Sequence, residues 1–243
     1  FVNYNKTIIT TSDLISCFDT IPVGVEYDLL AFDFSMTFNA INLDHKFKLM
    51  YSYSKYASNL DGFVIPQSGI FVRSSSQDYF KASNFGFQYN FDEITPSKNE
   101  DINPIGQRLR LKYDYEISEI SPELEVKDDG TLIEVFQQNN LNKFEGELWK
   151  SFGLFNNEHS INLTLRGATI FGPPVDDFYA FYATGLPGMR GYPYYALGGG
   201  RLATAKLEYR MPLIQNIDMR ISPFYLDKLY FSVFGDFGNA WDG

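Results

Sequence analysis

Between Leu30 and Ala40 the chain alternates without a break: Leu30, Phe32, Phe34, Met36, Phe38 and Ala40 share one parity, while Asp33, Ser35, Thr37 and Asn39 take the other. Successive side chains on a strand point to opposite faces, so this spacing predicts a β-strand with one apolar and one polar side. The same period recurs at Lys46–Tyr53, where Phe47, Leu49, Tyr51 and Tyr53 alternate with polar neighbours. At Phe85–Asp92, Phe85, Phe87, Tyr89 and Phe91 oppose Gly86, Gln88, Asn90 and Asp92. From Arg108 to Ser118 an apolar row of Leu109, Leu111, Tyr113, Tyr115 and Ile117 opposes Arg108, Arg110, Lys112, Asp114 and Glu116. Further strands are expected at Phe144–Leu154, Ile161–Thr169, Leu202–Met211 and Leu229–Gly238, with Lys150 and Gly167 interrupting their apolar faces. That makes eight strands. The residues before Leu29 and the stretch Gly69–Phe80 alternate too weakly to set a register and could add one or two more. Polar connections at Thr95–Gly106 and Ser121–Asn142 read as long external loops, and Asn156–His159 reads as a short turn at the opposite end.

A strand with rings on one side and a full row of charges on the other fits a wall between lipid and water. The alternatives are a soluble β-sandwich and a lipocalin-like barrel, which also alternate. Apparent strand lengths near ten residues suit a tilted membrane crossing better than a globular strand of about five or six. Composition agrees. The chain of 243 residues holds 23 Phe and 17 Tyr but only 2 Trp, yet its mean hydropathy is −0.21. Rings are therefore interleaved with polar residues. No run approaches the roughly 20 apolar residues of a spanning helix, which leaves a barrel as the way to cross a bilayer. The expected fold is an all-β, antiparallel transmembrane β-barrel, with residues 1–243 as one domain.

A net charge of −10 argues against nucleic acid as a partner, since a phosphate-binding surface needs clustered Lys and Arg. Cys17 stands alone, so it offers neither an intrachain disulfide nor a Cys metal cluster. The two histidines, His45 and His159, lie at expected strand starts beside turn residues, and no nucleophile–base–acid arrangement accompanies them. Nothing has the spacing of a metal site or of a coenzyme fingerprint; Gly198-Gly199-Gly200 opens a strand instead of a helix. No cofactor and no enzymatic activity are expected. The opening Phe1-Val2-Asn3-Tyr4 lacks a basic region followed by an apolar stretch, so an export signal is expected upstream or removed.

The stretch Gly172–Gly200 departs from the alternation. It is long, aromatic and rich in Gly and Pro, with Gly185-Leu186-Pro187-Gly188-Met189-Arg190-Gly191-Tyr192-Pro193 at its centre. Loops of this length are usually functional or disordered, and this one, poor in flexible filler, is expected to pack as a lid or plug over about residues 172–200. If Arg190 is enclosed there it needs a carboxylate. Acids of inward parity stand on the two strands that follow the loop. With Ala203, Ala205, Leu207, Tyr209 and Met211 on the lipid side, Glu208 turns inward; with Leu229, Phe231, Val233 and Phe237 on the lipid side, Asp236 turns inward as well. The alternative is that Glu208 pairs with neighbouring Lys206 or Arg210 as lumen lining.

Met189-Arg190-Gly191-Tyr192 resembles the Arg-Gly-Phe/Tyr motif in the in-folded loop of the BamA/TamA superfamily of outer-membrane proteins. Leu207-Glu208-Tyr209-Arg210-Met211-Pro212 resembles the Glu-bearing strand that follows it, and Phe234-Gly235-Asp236-Phe237-Gly238 the Phe-x-Asp-x-Gly strand after that. The resemblance covers Gly172–Gly243 specifically and the rest only as generic barrel. It implies a sixteen-stranded barrel, of which this chain is a part, with a loop lock built from Arg190, Gly191, Tyr192, Glu208, Asp236 and Gly238. Arg190 is to pair with Asp236 and Glu208 inside the lumen. It further implies protein insertion or polypeptide transport at the bacterial outer membrane. The implied partners are outer-membrane lipid and lipopolysaccharide, client outer-membrane proteins, and periplasmic or lipoprotein accessory subunits. Members continue beyond the last strand seen here and carry periplasmic repeats, so the chain is expected to be an internal portion of a larger protein. Pro122–Val126 and Asp129–Leu132 bear a fainter resemblance to barrels attached to TolB-like propellers. The alternatives are an anchor or transport barrel of such a larger protein, and a passive porin.

Overall fold

The computed structural model describes residues 2–17, 19–40, 43–64, 69–96, 99–100, 102–126, 132–172, 177–185 and 188–242, and their side chains except at 2–25, 27 and 122–134. Nine long strands form one sheet. They are β1 (Val2–Cys17), β2 (Asp19–Asn39), β3 (His45–Leu60), β4 (Ser75–Thr95) and β5 (Ile105–Val126). β6 (Leu132–Leu154), β7 (His159–Phe171), β8 (Arg201–Ile214) and β9 (Leu229–Trp241) complete it. Their order in the sheet is their order in the chain, with β1 and β9 at the edges. The sheet is antiparallel, so successive connections alternate between its two ends. Short two-stranded ribbons stand within three of them: Phe63–Val64 with Phe71–Val72, Phe181–Tyr182 with Gly198–Gly199, and Met219–Ile221 with Phe224–Leu226. Among the described residues no helix is long and apolar enough to cross a membrane.

All eight expected strands are present as β2 to β9, and the weakly patterned N-terminal residues supply β1 and the start of β2. Two expectations are corrected. First, the strands are longer than the alternation suggested, reaching 23 residues in β6. Ser121–Asn142 is therefore mostly strand and not a long loop; Lys127–Gly130 within it lies outside the described residues. Second, Thr95–Gly106 and Asn156–His159 share one end of the sheet, because Asn103 Nδ2 donates to the carbonyl oxygens of Asn157 and Glu158 at 3.2 and 3.3 Å. If the short turn is periplasmic, so is the long one.

Polarity along the strands is inverted relative to a water-soluble sheet. On β5, Tyr113 and Ile117 are 40% and 46% exposed, whereas Asp114, Glu116 and Ser118 of the opposite parity are 4%, 8% and 1% exposed. Phe85 and Phe87 on β4 are exposed while Gly86 is enclosed. On β7 and β8, Leu165 and Leu207 face outward, and Ser160, Asn162 and Thr204 are buried. The inversion ends part-way along the strands. Beyond Phe85 on β4 the outward residue becomes Lys81, and the inward ones become Ala82 and Phe80, both buried. Beyond Ile117 on β5, Glu119 is outward and accepts a hydrogen bond from Gln138 at 3.0 Å, while Ile120 is buried. Here the sheet reads as a water-soluble one does, with ions on the exposed face and apolar groups on the buried face. That switch is why alternation of one sense stopped short of the true strand ends.

The chain divides into two compact units. One comprises Phe1–Met36, Lys48–Phe87 and Asp114–Asn142. Its interior is Leu60, Val72, Phe80, Ala82, Ile120 and Leu141, and Asp78 on its surface pairs with Lys55 and Lys81 at 2.9 and 3.0 Å. The other comprises Thr37–Phe47, Gln88–Tyr113 and Lys143–Gly243. Within it a ladder of ions crosses four strands: Arg108 to Asp92 (3.0 Å), Arg110 to Glu147 (2.7 Å), and both Lys112 (3.8 Å) and Arg166 (3.5 Å) to Glu145.

Candidate functional site

The connection from β7 to β8 builds the site, and it closes on itself before touching the wall. Among its described residues, Ala183 N donates to Leu197 O at 2.9 Å, Met189 N to Ala183 O at 2.7 Å, and Ala196 N to Thr184 Oγ1 at 3.0 Å. Position 188 must be glycine, because a Cβ there would collide with the carbonyl of Ala183. Leu186 and Pro187, beside it, lie outside the described residues. Met189 and Ala183, 2% and 0% exposed, pack with Ala168 of β7, Leu202 of β8 and Ala240 of β9. Leu202 has the inward parity otherwise occupied by Thr204, Lys206, Glu208 and Arg210; the loop covering it makes an apolar inward residue favourable.

That packing delivers Arg190 to β9. Its Nε donates to Asp236 Oδ2 and its Nη2 to Oδ1, each at 2.9 Å, and its backbone N also reaches Oδ2 at 2.9 Å. Two parallel N–H···O bonds match the guanidinium fork to the carboxylate and fix orientation as well as distance. Asp236 holds the buried side, its side chain 6% exposed against 43% for Arg190. The Arg190 Cζ lies 3.1 Å from the Phe234 ring centroid, adding attraction between cation and ring face. The hydrogen bond to Asp236 binds the Arg190 proton more tightly than usual, against the opposing effect of burial.

Glu208 is placed differently from the expected second partner. Its Oε1 accepts from Arg210 Nε at 3.2 Å and Nη2 at 2.8 Å, and it acts on Arg190 through space, without a direct hydrogen bond among those described. Residues two apart on a strand share a face, so Arg210 is always within reach of Glu208, whereas Asp236 already engages the Arg190 fork. Arg210 also donates from Nη1 to the Ile102 carbonyl, tying β8 to the connection before β5. Lys206 stands opposite Asp236 in the β8–β9 register. Arg190, Lys206, Glu208 and Arg210 border a cavity of about 300 Å³ with Trp149 and Asn162.

Gly191 and Tyr192 make no part of this ion pair. Gly191 takes a positive φ of 89°, turning the chain just after Arg190, and Tyr192 is 54% exposed. Gly238 works by close approach: a Cβ there would lie 2.5 Å from the Ala203 oxygen and 2.8 Å from the Thr204 Cα. A bare backbone at 238 lets β8 and β9 meet two residues past Asp236.

Two further groupings were not visible in the sequence. Fully buried Asn103 accepts from Ser160 Oγ at 2.5 Å while donating to the 157 and 158 carbonyls. The histidines each meet a tyrosine on the adjoining strand, His45 Nδ1 with Tyr89 Oη and His159 Nδ1 with Tyr209 Oη, both at 2.7 Å. Phe91 and Phe155 lie against these imidazoles, 4.8 Å between centroids in each case. Among the described residues no group of three His, Cys, Asp or Glu could hold a metal ion.

The chain matches no known protein-family model, and no curated protein matches it significantly.

Proposed function

We propose that the chain forms the wall and in-folded loop of a bacterial outer-membrane β-barrel of the protein insertase or translocase type. The observation that carries the membrane assignment is the bounded, inverted band on the strands. On β5 the outward apolar row runs over the nine residues from Leu109 to Ile117. At about 3.3 Å per residue and a tilt near 45° this spans about 21 Å, close to the roughly 25 Å apolar band of outer-membrane barrels. Polar outward groups bound it on both sides. Glu119 and Gln138 lie beyond Ile117; before Leu109, Gln107 joins Glu93 at 2.6 Å and Lys150 at 3.1 Å. The His–Tyr pairs stand at that second boundary, where rings with polar tips favour a membrane–water interface. In water the same face would expose far more contiguous apolar surface than the few hundred Å² monomers usually tolerate.

The insertase or translocase type is supported by the loop held to the inward face by Arg190 and Asp236 and by the ordered motif resemblance. A passive porin is the competing reading, favoured by the charged ladder from Arg108 to Arg166. Conductance in planar bilayers separates them. The intact protein should show small, irregular currents, rising on Asp236→Ala as the loop is released; large, steady conductance unaffected by Asp236→Ala would establish a porin. Crosslinking of the protein to an unfolded barrel client, with no product from a soluble control, is the positive test of assembly activity.

A further inference from the structure

We propose that the ribbon Met219–Leu226, in the connection between β8 and β9, is an interfacial anchor that lays one apolar face on the lipid bilayer; this rests on the membrane reading above. The ribbon is two-faced. Met219 pairs with Leu226 and Ile221 with Phe224, so these four side chains share one side, while Arg220 pairs with Tyr225 on the other. The four apolar residues are 41% to 70% exposed. A two-stranded ribbon alone in water is marginal, and exposing its apolar side makes it worse.

The backbone is nonetheless bent deliberately into this shape. Asn216, Asp218 and Ser222 take positive φ values of 59°, 45° and 50°, an uncommon conformation for residues with a side chain. Ser222 followed by Pro223 has the φ signs of a two-residue II′ hairpin turn. Ile217 N closes the base by donating to Asp227 O at 2.6 Å.

Position identifies the occupant. The antiparallel order puts this connection at the same end of the sheet as the His159–Tyr209 pair, and it leaves β8 shortly after Tyr209. Exposed Leu213 and Ile214 precede it, and exposed Leu229 and Phe231 follow it on the outward row of β9. The apolar surface thus continues from the wall into the ribbon at the level of the interfacial rings. On the opposite side the acids are engaged, Asp218 accepting from Tyr225 Oη at 2.6 Å and Asp227 pairing with Lys228 at 3.5 Å. Among the described residues Arg220 has no acidic partner, which leaves a cation available to lipid phosphate. An apolar face backed by a cation and a tyrosine is the chemistry of an interfacial segment.

The test uses the full chain reconstituted in phospholipid vesicles, with Cys17→Ser and single cysteines carrying an environment-sensitive fluorophore at Phe224→Cys, Tyr225→Cys or Phe231→Cys. The proposal expects the Phe224→Cys label to be quenched by lipids spin-labelled near the headgroup and several-fold less accessible to iodide than the Tyr225→Cys label. Equal iodide access at 224 and 225, with Phe231→Cys still quenched by lipid, overturns the anchor and leaves the barrel standing. Shielding of the Phe224→Cys label from both iodide and lipid quenchers overturns it in favour of a protein contact. Iodide access at Phe231→Cys would remove the membrane reading, and the anchor with it.

Discussion

Arg190 and Asp236 carry unequal shares of their ion pair. The aspartate is enclosed and accepts three hydrogen bonds, while the arginine is partly open to water. Removing the arginine strands a buried carboxylate; removing the aspartate frees a cation that water can solvate. Hydrogen bonds to a charged group contribute about 1.5–3 kcal/mol, and the exposed half of this pair places the expected loss toward the lower end. Arg190→Ala and Asp236→Ala are each expected to increase limited proteolysis near Met189, and the double variant to be less impaired than the sum of the two. Additive effects with unchanged cleavage would show that the pair does not hold the loop. Glu208→Gln should leave that cleavage pattern as it is, because the Glu208 hydrogen bonds go to Arg210. At Gly238 the expectation is steric: Gly238→Ala forces β8 and β9 apart at Ala203, costing about 1–3 kcal/mol, to be read as a lower temperature for loss of the folded band on unheated gels.

Along a single strand the residues change role. On β5, Asp114, Glu116 and Ser118 are buried while Tyr113 and Ile117 are exposed, and past them Glu119 accepts from Gln138 while Ile120 is buried. Placing Arg or Lys toward the bilayer midplane costs about 2–4 kcal/mol, so the Arg108–Glu116 row is expected to face the lumen in the membrane. Cysteines at Lys112 and Tyr113 examine this directly: a lipid-soluble maleimide should label Tyr113→Cys and a charged, water-soluble one Lys112→Cys, and the opposite preference would reverse the faces. At the boundary, Tyr209→Phe removes the hydroxyl that meets His159 but keeps the ring. It should change stability by about 1 kcal/mol at most, whereas Tyr209→Asp should lower recovery of folded protein from detergent.

At the scale of the whole molecule, the complete protein is expected to need detergent and to run on gels with heat-modifiable mobility, because its outward rows have no water-compatible cover. A monodisperse, detergent-free monomer would defeat the membrane assignment. Sequence alone determined what depends on local period. Alternation from Leu30 to Ala40 or from Arg108 to Ser118 sets strand type and face, since the two-residue repeat is a property of the extended backbone, and the same parity turned Glu208 and Asp236 to one side. Tertiary structure decided what depends on distant neighbours. That Arg190 engages Asp236 while Glu208 turns to Arg210 depended on where the loop core of Met189, Leu202 and Ala240 set the arginine down. Strand ends beyond Phe85 and Ile117 were hidden because the surroundings of each face change there while the backbone pairing continues. Asn103 found its carbonyl partners 54 and 55 residues away, a separation that no local pattern encodes, because only the order of strands in the sheet brings those turns to one end.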